Sequence, residues 1–393
     1  MHEFSRNMIT DYENKADLTM AFMCRIMVLF FGLVLILNLT GVFIIKATIY
    51  PALIFSAIIM FVPTIFYNFL HLKSVKIRYF VLTLVVMMSG FLYGILSYHV
   101  IIMLVFPVVI SCLYSDLKSV IYTSVLGVPA IIGGHLLANI LRIVPDEPLI
   151  EMNDVLLFGV LPRLIEYSGF VIICCCTASK IQKLINGLAH KNDELYKEQE
   201  SIITSLAELI EAQSQETGQH VKRVSEYTRI LCEALGMSNE EVWKVSTAAA
   251  LHDAGKMIID QNILNKPGKL TAEEFDIVKQ HVSYGKKLLE KNTGELMRIA
   301  ANIAYHHHER YDGNGYMGIK GENIDRYARC VSVADVFDAL VSRRPYKEPW
   351  TPEEAYEEIV SQSGKQFDPA VVEVFKNNFD KFREVLQKYP DNK

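Results

Sequence analysis

Charge is what the first half of this chain lacks. From Ala21 to about Cys176 charged residues are sparse, and only after Ser179 does the sequence become ordinarily charged. The overall 51% hydrophobic and 21% charged content is therefore an average over two materials, a membrane half and a soluble half. A basic excess is also missing: the net charge is -5, which argues against a nucleic-acid polymer as partner. Paired cysteines are absent too. Cys24, Cys112, Cys174, Cys175, Cys176, Cys232 and Cys330 include no C-x-x-C pair and read as reduced structural thiols, not a disulfide framework. No cleavable leader is expected, because the first twenty residues are polar and the first apolar stretch is too long for a signal core. No alternating strand pattern persists in the charged half, where amphipathic runs dominate and Gly and Pro fall at breaks. The fold class expected is all-α: a multi-helix membrane domain, a coiled-coil linker and an all-helical bundle.

About 20 predominantly apolar residues are needed to span a bilayer. Six segments qualify as candidates, near 22–45, 49–70, 78–96, 99–115, 119–141 and 155–178, the fourth being short and joined to the third by Ser97-Tyr98-His99. With a cytoplasmic N-terminus, Arg6, Lys15, Arg25, Lys73, Lys76, Arg78, Lys118, Lys180 and Lys183 lie inside, while Lys46, Arg142, Asp146, Glu147 and Glu151 lie outside. That distribution follows the positive-inside rule, and an even number of spans returns the soluble half to the same side as the N-terminus. The expected division is 1–20 cytoplasmic, 21–178 membrane domain, 179–213 linker and 214–393 soluble domain. Arg163 and Glu166 share a helix face at a spacing of three and can pair; they serve either a packing lock or ligand sensing.

The linker is charged, lacks Pro and has one Gly, Gly187. Ile181, Leu188, Leu195, Ile202 and Leu209 recur every seven residues, whereas the partner positions Lys191, Glu198 and Ser205 are polar. A seven-residue repeat predicts a left-handed coiled coil and hence a homodimer, with a weak second seam; a plain solvated helix is the competing reading.

The chemistry lies in the soluble half, where His220, His252, His281, His306, His307 and His308 accompany Asp253 and Asp335. Adjacent His252 and Asp253 close an apolar helical run. Such a pair can give an imidazole to one divalent ion while the carboxylate bridges to a second, offsetting the repulsion between the ions. Gly255 lets the backbone turn away, and Lys256 brings a cation to the place a phosphate would take. The mixed His and carboxylate set suits Fe or Mn.

The ordered blocks His252-Asp253-Ala254-Gly255-Lys256 and His307-His308-Glu309-Arg310-Tyr311-Asp312-Gly313-Asn314-Gly315-Tyr316 resemble the HD-GYP family, a branch of the HD metal phosphohydrolases whose members hydrolyse cyclic dinucleotides. The resemblance runs from about Leu206 to Phe379. It takes in Thr217-Gly218-Gln219-His220, Ala334-Asp335-Val336-Phe337-Asp338, Arg344-Pro345-Tyr346-Lys347 and Phe367-Asp368-Pro369. It implies that His220, His252, Asp253 and Asp335 hold one metal, and that Asp253, His281, His307 and His308 hold the other. Glu216 would serve a third ion, so that two or three divalent ions are bound. Asp253 and Lys256 would be catalytic; Lys256, Tyr316, Arg344 and Lys347 would face the substrate. Asp312 would support His308 or the following loop, and His306 is left structural. A hydroxide shared by the ions would be the nucleophile, and a bacterial inner-membrane phosphodiesterase regulated by its membrane domain would convert cyclic di-GMP to pGpG, with the final product, linear dinucleotide or mononucleotide GMP, left open. Two alternatives stay open: a catalytically silent cyclic-dinucleotide receptor, and a phosphohydrolase acting on another cyclic dinucleotide such as cyclic GMP-AMP. One departure stands out. Gly315-Tyr316 is followed by Met317 where the family has Pro, which puts the loop's geometry in question, and Asp325 stands where the family usually has another Pro.

Overall fold

The computed structural model describes residues 3–40, 49–96, 102–141, 155–212, 218–343 and 348–391. It is helical, with a lone β-bridge between Ser363 and Phe367 and no strand among the described residues. The chain divides into two units, Met1–Asp193 and Glu194–Lys393.

The first unit contains α1 (Glu3–Leu39), α2 (Tyr50–Met60, continuing through a π-helical turn Ile65–Phe69), α3 (Val75–Ile95), α4 (Ile102–Cys112), α5 (Leu117–Ile140) and the start of α6 (Leu161–Glu211). Ser74 caps α3 by accepting from the Lys76 amide, and Asp116 caps α5 by accepting from the amides of Lys118 and Ser119. Among the described residues, five helical segments are long and apolar enough to cross a membrane: Thr10–Leu39, Tyr50–Phe69, Val75–Ile95, Leu117–Ile140 and Val155–Glu211. The fourth candidate is the shorter Met103–Cys112, and the Ser97-Tyr98-His99 connection lies outside the described residues. Small side chains let α3 and α5 touch. A Cβ on Gly90 would stand 2.7 Å from the Ala130 Cβ, and one on Gly94 would stand 2.5 Å from the Gly134 carbonyl oxygen. Arg163 and Glu166 pair at 2.8 Å on one face of α6.

No break separates the last apolar segment from the linker, because α6 runs uninterrupted from Leu161 to Glu211. The unit boundary falls inside that helix, at Asp193/Glu194, and not at the linker's ends. The reason lies in its second face. Ile203 and Ala207, four apart, are buried in the core of the second unit, whereas Leu188, Leu195, Ile202 and Leu209 remain exposed.

The second unit continues with α7 (Gly218–Ala234), α8 (Asn239–Ala249), a 3-10 turn (Ala254–Ile258), α9 (Gln261–Leu264), α10 (Ala272–Lys279), α11 (His281–Leu289), α12 (Glu295–His306), α13 (Arg326–Val341), α14 (Pro352–Ser361), α15 (Pro369–Asn377) and α16 (Phe379–Lys388). Reciprocal capping boxes start α8 (Ser238/Glu241), α10 (Thr271/Glu274) and α14 (Thr351/Glu354). The core is anchored by aromatic rings. Tyr227 of α7 stacks on Phe382 of α16 at 4.5 Å, and Phe337 of α13 meets that same ring edge-on at 5.3 Å. Small residues, Ala248 and Ala249 on α8 with Ala300, Ala301 and Ala304 on α12, line the same core. This packing fixes the helix ends that carry the site.

Candidate metal centre

Helix ends build the centre. Where α8 stops, the His252 Nδ1–H donates to the Ala249 carbonyl at 2.8 Å. At the start of α11, the His281 Nδ1–H donates to Val278 O at 2.7 Å. Past the end of α12, His307 does the same to Ala304 O at 3.0 Å. Each ring is thereby tied to a carbonyl at a helix end, and the donated Nδ1 proton leaves Nε2 to carry the lone pair of the neutral ring. His220, on α7, places its Nδ1 2.8 Å from Asp338 Oδ2, a carboxylate that orients the ring.

The Nε2 atoms converge on Asp253. Its Oδ1 lies 3.2 Å from His281 Nε2 and 3.7 Å from His307 Nε2, while its Oδ2 lies 3.2 Å from His252 Nε2. Asp335 Oδ1 stands 3.6 Å from His220 Nε2 and 3.8 Å from His252 Nε2. Two groups result, Asp253–His281–His307–His308 and His220–His252–Asp335, each with donor atoms within 4.8 Å of one another. The Nε2 atoms of His252, His281 and His307 and the Asp253 Oδ1 are buried without a hydrogen-bonding partner. Buried polar atoms are nearly always satisfied. Four of them converge to form a cradle for cations, the His252 Nε2 lone pair becoming available when an ion displaces its proton, and nitrogen with carboxylate oxygen is a donor set that suits Fe, Mn or Zn.

The electrostatics agree. Burial opposes a charge on His252, but Asp253, Asp335 and Glu211 outweigh it and raise the imidazole to about 10; the pocket demands a positive occupant. Burial likewise opposes ionisation of Asp253, yet Lys256 and His252 hold its carboxyl well below the usual range. On the other side, burial lowers His307 against the pull of the Asp253 carboxylate, and burial and then the neighbouring His307 lower His308, so both rings stay neutral and able to coordinate.

Gly255 is explained by proximity and not by a turn. A Cβ there would stand 1.9 Å from the His281 carbonyl oxygen and 2.5 Å from the Gly285 amide nitrogen, so glycine lets the 3-10 turn lie against α11. Lys256, one residue on, reaches Asp253 Oδ2 at 2.6 Å. Tyr316 packs on His308 with ring centroids 4.7 Å apart. Asp312 supports its own loop, accepting from Arg310 (3.1 Å) and the Asn314 amide (2.9 Å), and not His308. His306 accepts from the Asp325 amide at 3.0 Å, a structural contact. Glu216, Arg344 and Lys347 lie outside the described residues.

Three residues were given no role by the sequence reading. Asp338, fully buried, accepts from His220 and from Arg223 Nε (2.6 Å) and Nη2 (2.9 Å); its spacing of three from Asp335 was the available signal. Glu309, also buried, accepts from the Met317 amide at 2.6 Å and the Ile319 amide at 2.7 Å, fastening the loop after Gly315. Glu211, the last residue of α6, is buried with donor atoms of His252 and Asp253 within 4.8 Å and Lys256 Nζ at 3.6 Å.

Residues 204–371 match the family model described as HD domain. The chain is 40% identical over 199 residues to the 3'3'-cGAMP-specific phosphodiesterase 2 of Vibrio cholerae, covering 50% of this chain and 38% of that protein. It is 44% identical over 187 residues to the cyclic di-GMP phosphodiesterase response regulator RpfG of Xanthomonas campestris pv. campestris, covering 47% of this chain and 49% of that one. It is 44% identical over 188 residues to a cyclic di-GMP phosphodiesterase of Thermotoga maritima, covering 47% and 51%. The chain spans about half the length or less of these relatives. Helical packing and a converging His and Asp cradle accompany this match: residues 204–371 are similar to the HD domain family.

Proposed function

We propose that this chain is a membrane-anchored, metal-dependent phosphodiesterase of the HD-GYP type that opens cyclic di-GMP to the linear dinucleotide pGpG. The observation that carries the reading is Asp253, whose two oxygens face different imidazoles, Oδ1 toward His281 and His307 and Oδ2 toward His252. A carboxylate so placed would have one oxygen to offer to each of two cations. His220, His252, Asp253 and Asp335 would hold one ion, and Asp253, His281, His307 and His308 the other. When bound, the ions supply Lewis acidity to a water nucleophile and to the phosphate it attacks. The protein's own part is to hold Nε2 lone pairs inward through the Nδ1–H bonds, and to keep Lys256 at the site as a counter-charge for the phosphodiester. Tyr316, beside His308, offers a ring and a hydroxyl to the substrate, and Arg344 with Lys347 would add phosphate contacts.

Relatives named as cyclic di-GMP phosphodiesterases support this substrate, and one named for 3'3'-cGAMP supplies the alternative. The five apolar helices support membrane anchoring. The exposed stripe Leu188, Leu195, Ile202 and Leu209, at heptad spacing, supports pairing of α6 with a second copy, through which the membrane unit would regulate hydrolysis. The test is turnover: full-length protein in detergent micelles, loaded anaerobically with Fe(II) or Mn(II), is given cyclic di-GMP and 3'3'-cGAMP, and the products are separated by chromatography. Conversion of cyclic di-GMP to pGpG is expected. Tight binding of the nucleotide by metal-loaded protein without turnover would replace the enzyme with a receptor.

A further inference from the structure

Lys256 occupies a place a metal ligand would need kept clear. Its ammonium lies 2.6 Å from Asp253 Oδ2, on the carboxylate that also faces His252, His281 and His307. A divalent ion on that oxygen and an ammonium on it repel each other, so cation binding at Asp253 must move Lys256. Its way out is short. Glu211 Oε2 is 3.6 Å from the same Nζ, and the Glu211 side chain is 2% exposed. Glu211 also sits awkwardly by its own helix's account, being an acid at the carboxyl end of α6, where the helix dipole favours cations. A buried carboxylate there calls for a permanent positive neighbour.

We propose that Glu211 is the seat to which Lys256 transfers when a divalent ion takes Asp253, making Glu211 a positioning residue for Lys256. The exchange is one of ion pairs alone: Lys256 leaves Asp253 Oδ2, the ion takes its place, and the ammonium stays at the site's edge, held by Glu211 and directed at the substrate phosphate. Without Glu211, Lys256 has less reason to leave and competes with the ion. This inference deepens the proposed metal-dependent reading, but its test needs no nucleotide.

The probe is Mn(II) alone, titrated into metal-stripped full-length protein, with free Mn(II) counted by electron paramagnetic resonance. Glu211→Gln should weaken the occupied sites about tenfold, about 1.4 kcal/mol. In a Lys256→Gln background, the same Glu211→Gln change should have no effect, because the competitor is gone; this non-additivity is the signature of one residue acting through the other. Glu211→Asp, which keeps the charge, should restore most of the affinity. If Glu211→Gln weakens Mn(II) equally in both backgrounds, or removes one ion from the total in both, Glu211 is a ligand or a general field effect and the proposal fails. Should Glu211→Gln not fold, Lys256→Gln alone decides: Mn(II) affinity at or above wild type supports the exchange, and weaker binding overturns it. Absence of cyclic di-GMP hydrolysis would sink the proposed reaction and leave these affinities to be read on their own.

Discussion

Substituting Met317→Pro would bring the loop closer to the HD-GYP pattern the sequence resembles, and the structure predicts that it makes this protein worse. The Met317 amide donates to Glu309 Oε1 at 2.6 Å, and the Ile319 amide donates to Oε2 at 2.7 Å. Glu309 itself is 3% exposed, so water cannot replace a lost donor. Proline has no N–H. Losing a hydrogen bond to a charged group costs about 1.5–3 kcal/mol. The stiffer unfolded chain returns about 0.4–1 kcal/mol. The net expectation is a loss of about 1–2 kcal/mol. For a unit of this size that corresponds to a melting temperature lower by roughly 2–8 °C. Differential scanning fluorimetry of the metal-loaded protein measures it. Met317→Ala is the control, because it keeps the N–H and removes a side chain that is 46% exposed; it should shift the melt by little. Glu309→Gln should also destabilise, and combining it with Met317→Pro should cost less than the sum. If Met317→Pro melts with Met317→Ala or above it, Glu309 does not hold the loop through that amide and the reasoning fails.

Asp253→Ala should lower bound metal from at least two ions per chain to less than one and abolish hydrolysis, with each tenfold of lost rate equal to about 1.4 kcal/mol of barrier; elemental analysis beside turnover checks both. His252 is raised to about 10 in the metal-free chain, above its ordinary value of about 6.5. Its protonated form therefore stabilises the fold fully below pH ~6.5, and that contribution is lost as pH rises through about 10. Mn(II) binding between pH 7 and 9 should accordingly expel a proton, read as an enthalpy that depends on the buffer's ionisation heat; a buffer-independent enthalpy would contradict it. Replacing exposed Leu195 and Ile202 of α6 by Glu should convert a dimer to a monomer in light scattering while leaving the soluble unit's fold unchanged by circular dichroism.

How legible this protein was depended on the range of the signal. Apolar length along the chain announced the helices long and apolar enough to cross a membrane, because crossing hydrocarbon is a local requirement. The residues gathered around Asp253 were legible for a related reason: His252-Asp253 and His307-His308 are adjacent in sequence and sit at helix ends, where composition changes abruptly. What stayed hidden depends on tertiary approach. Glu211 reads as one more acid in a charged linker until α6 is seen to end beside His252. Gly255 reads as a turn until His281 is placed 1.9 Å from where its Cβ would be. The heptad in the linker was visible, but the opposite stripe of Ile203 and Ala207, which commits the second half of α6 to the soluble unit, was masked by the polar residues between. Glu309 was quoted within a motif without a role, because its partners are backbone amides, which carry no sequence signature.

The imidazoles that close off helix ends have a consequence for how the soluble unit stays folded. His220 and Asp335, both on the centre, are separated by 115 positions (335 minus 220), and His252, His281 and His307 lie between them. An ion held by such a set fastens distant parts of the chain at one point and closes loops that would otherwise cost conformational freedom. All seven thiols of the chain are unbridged, so bound ions would take the part that a disulfide plays elsewhere, as a clasp that chelation opens and metal supply closes. On that account metal availability would set the protein's lifetime as well as its rate: stripped of ions, the centre should fray first at the ends of α8, α11 and α12, where hydrogen exchange would register the opening.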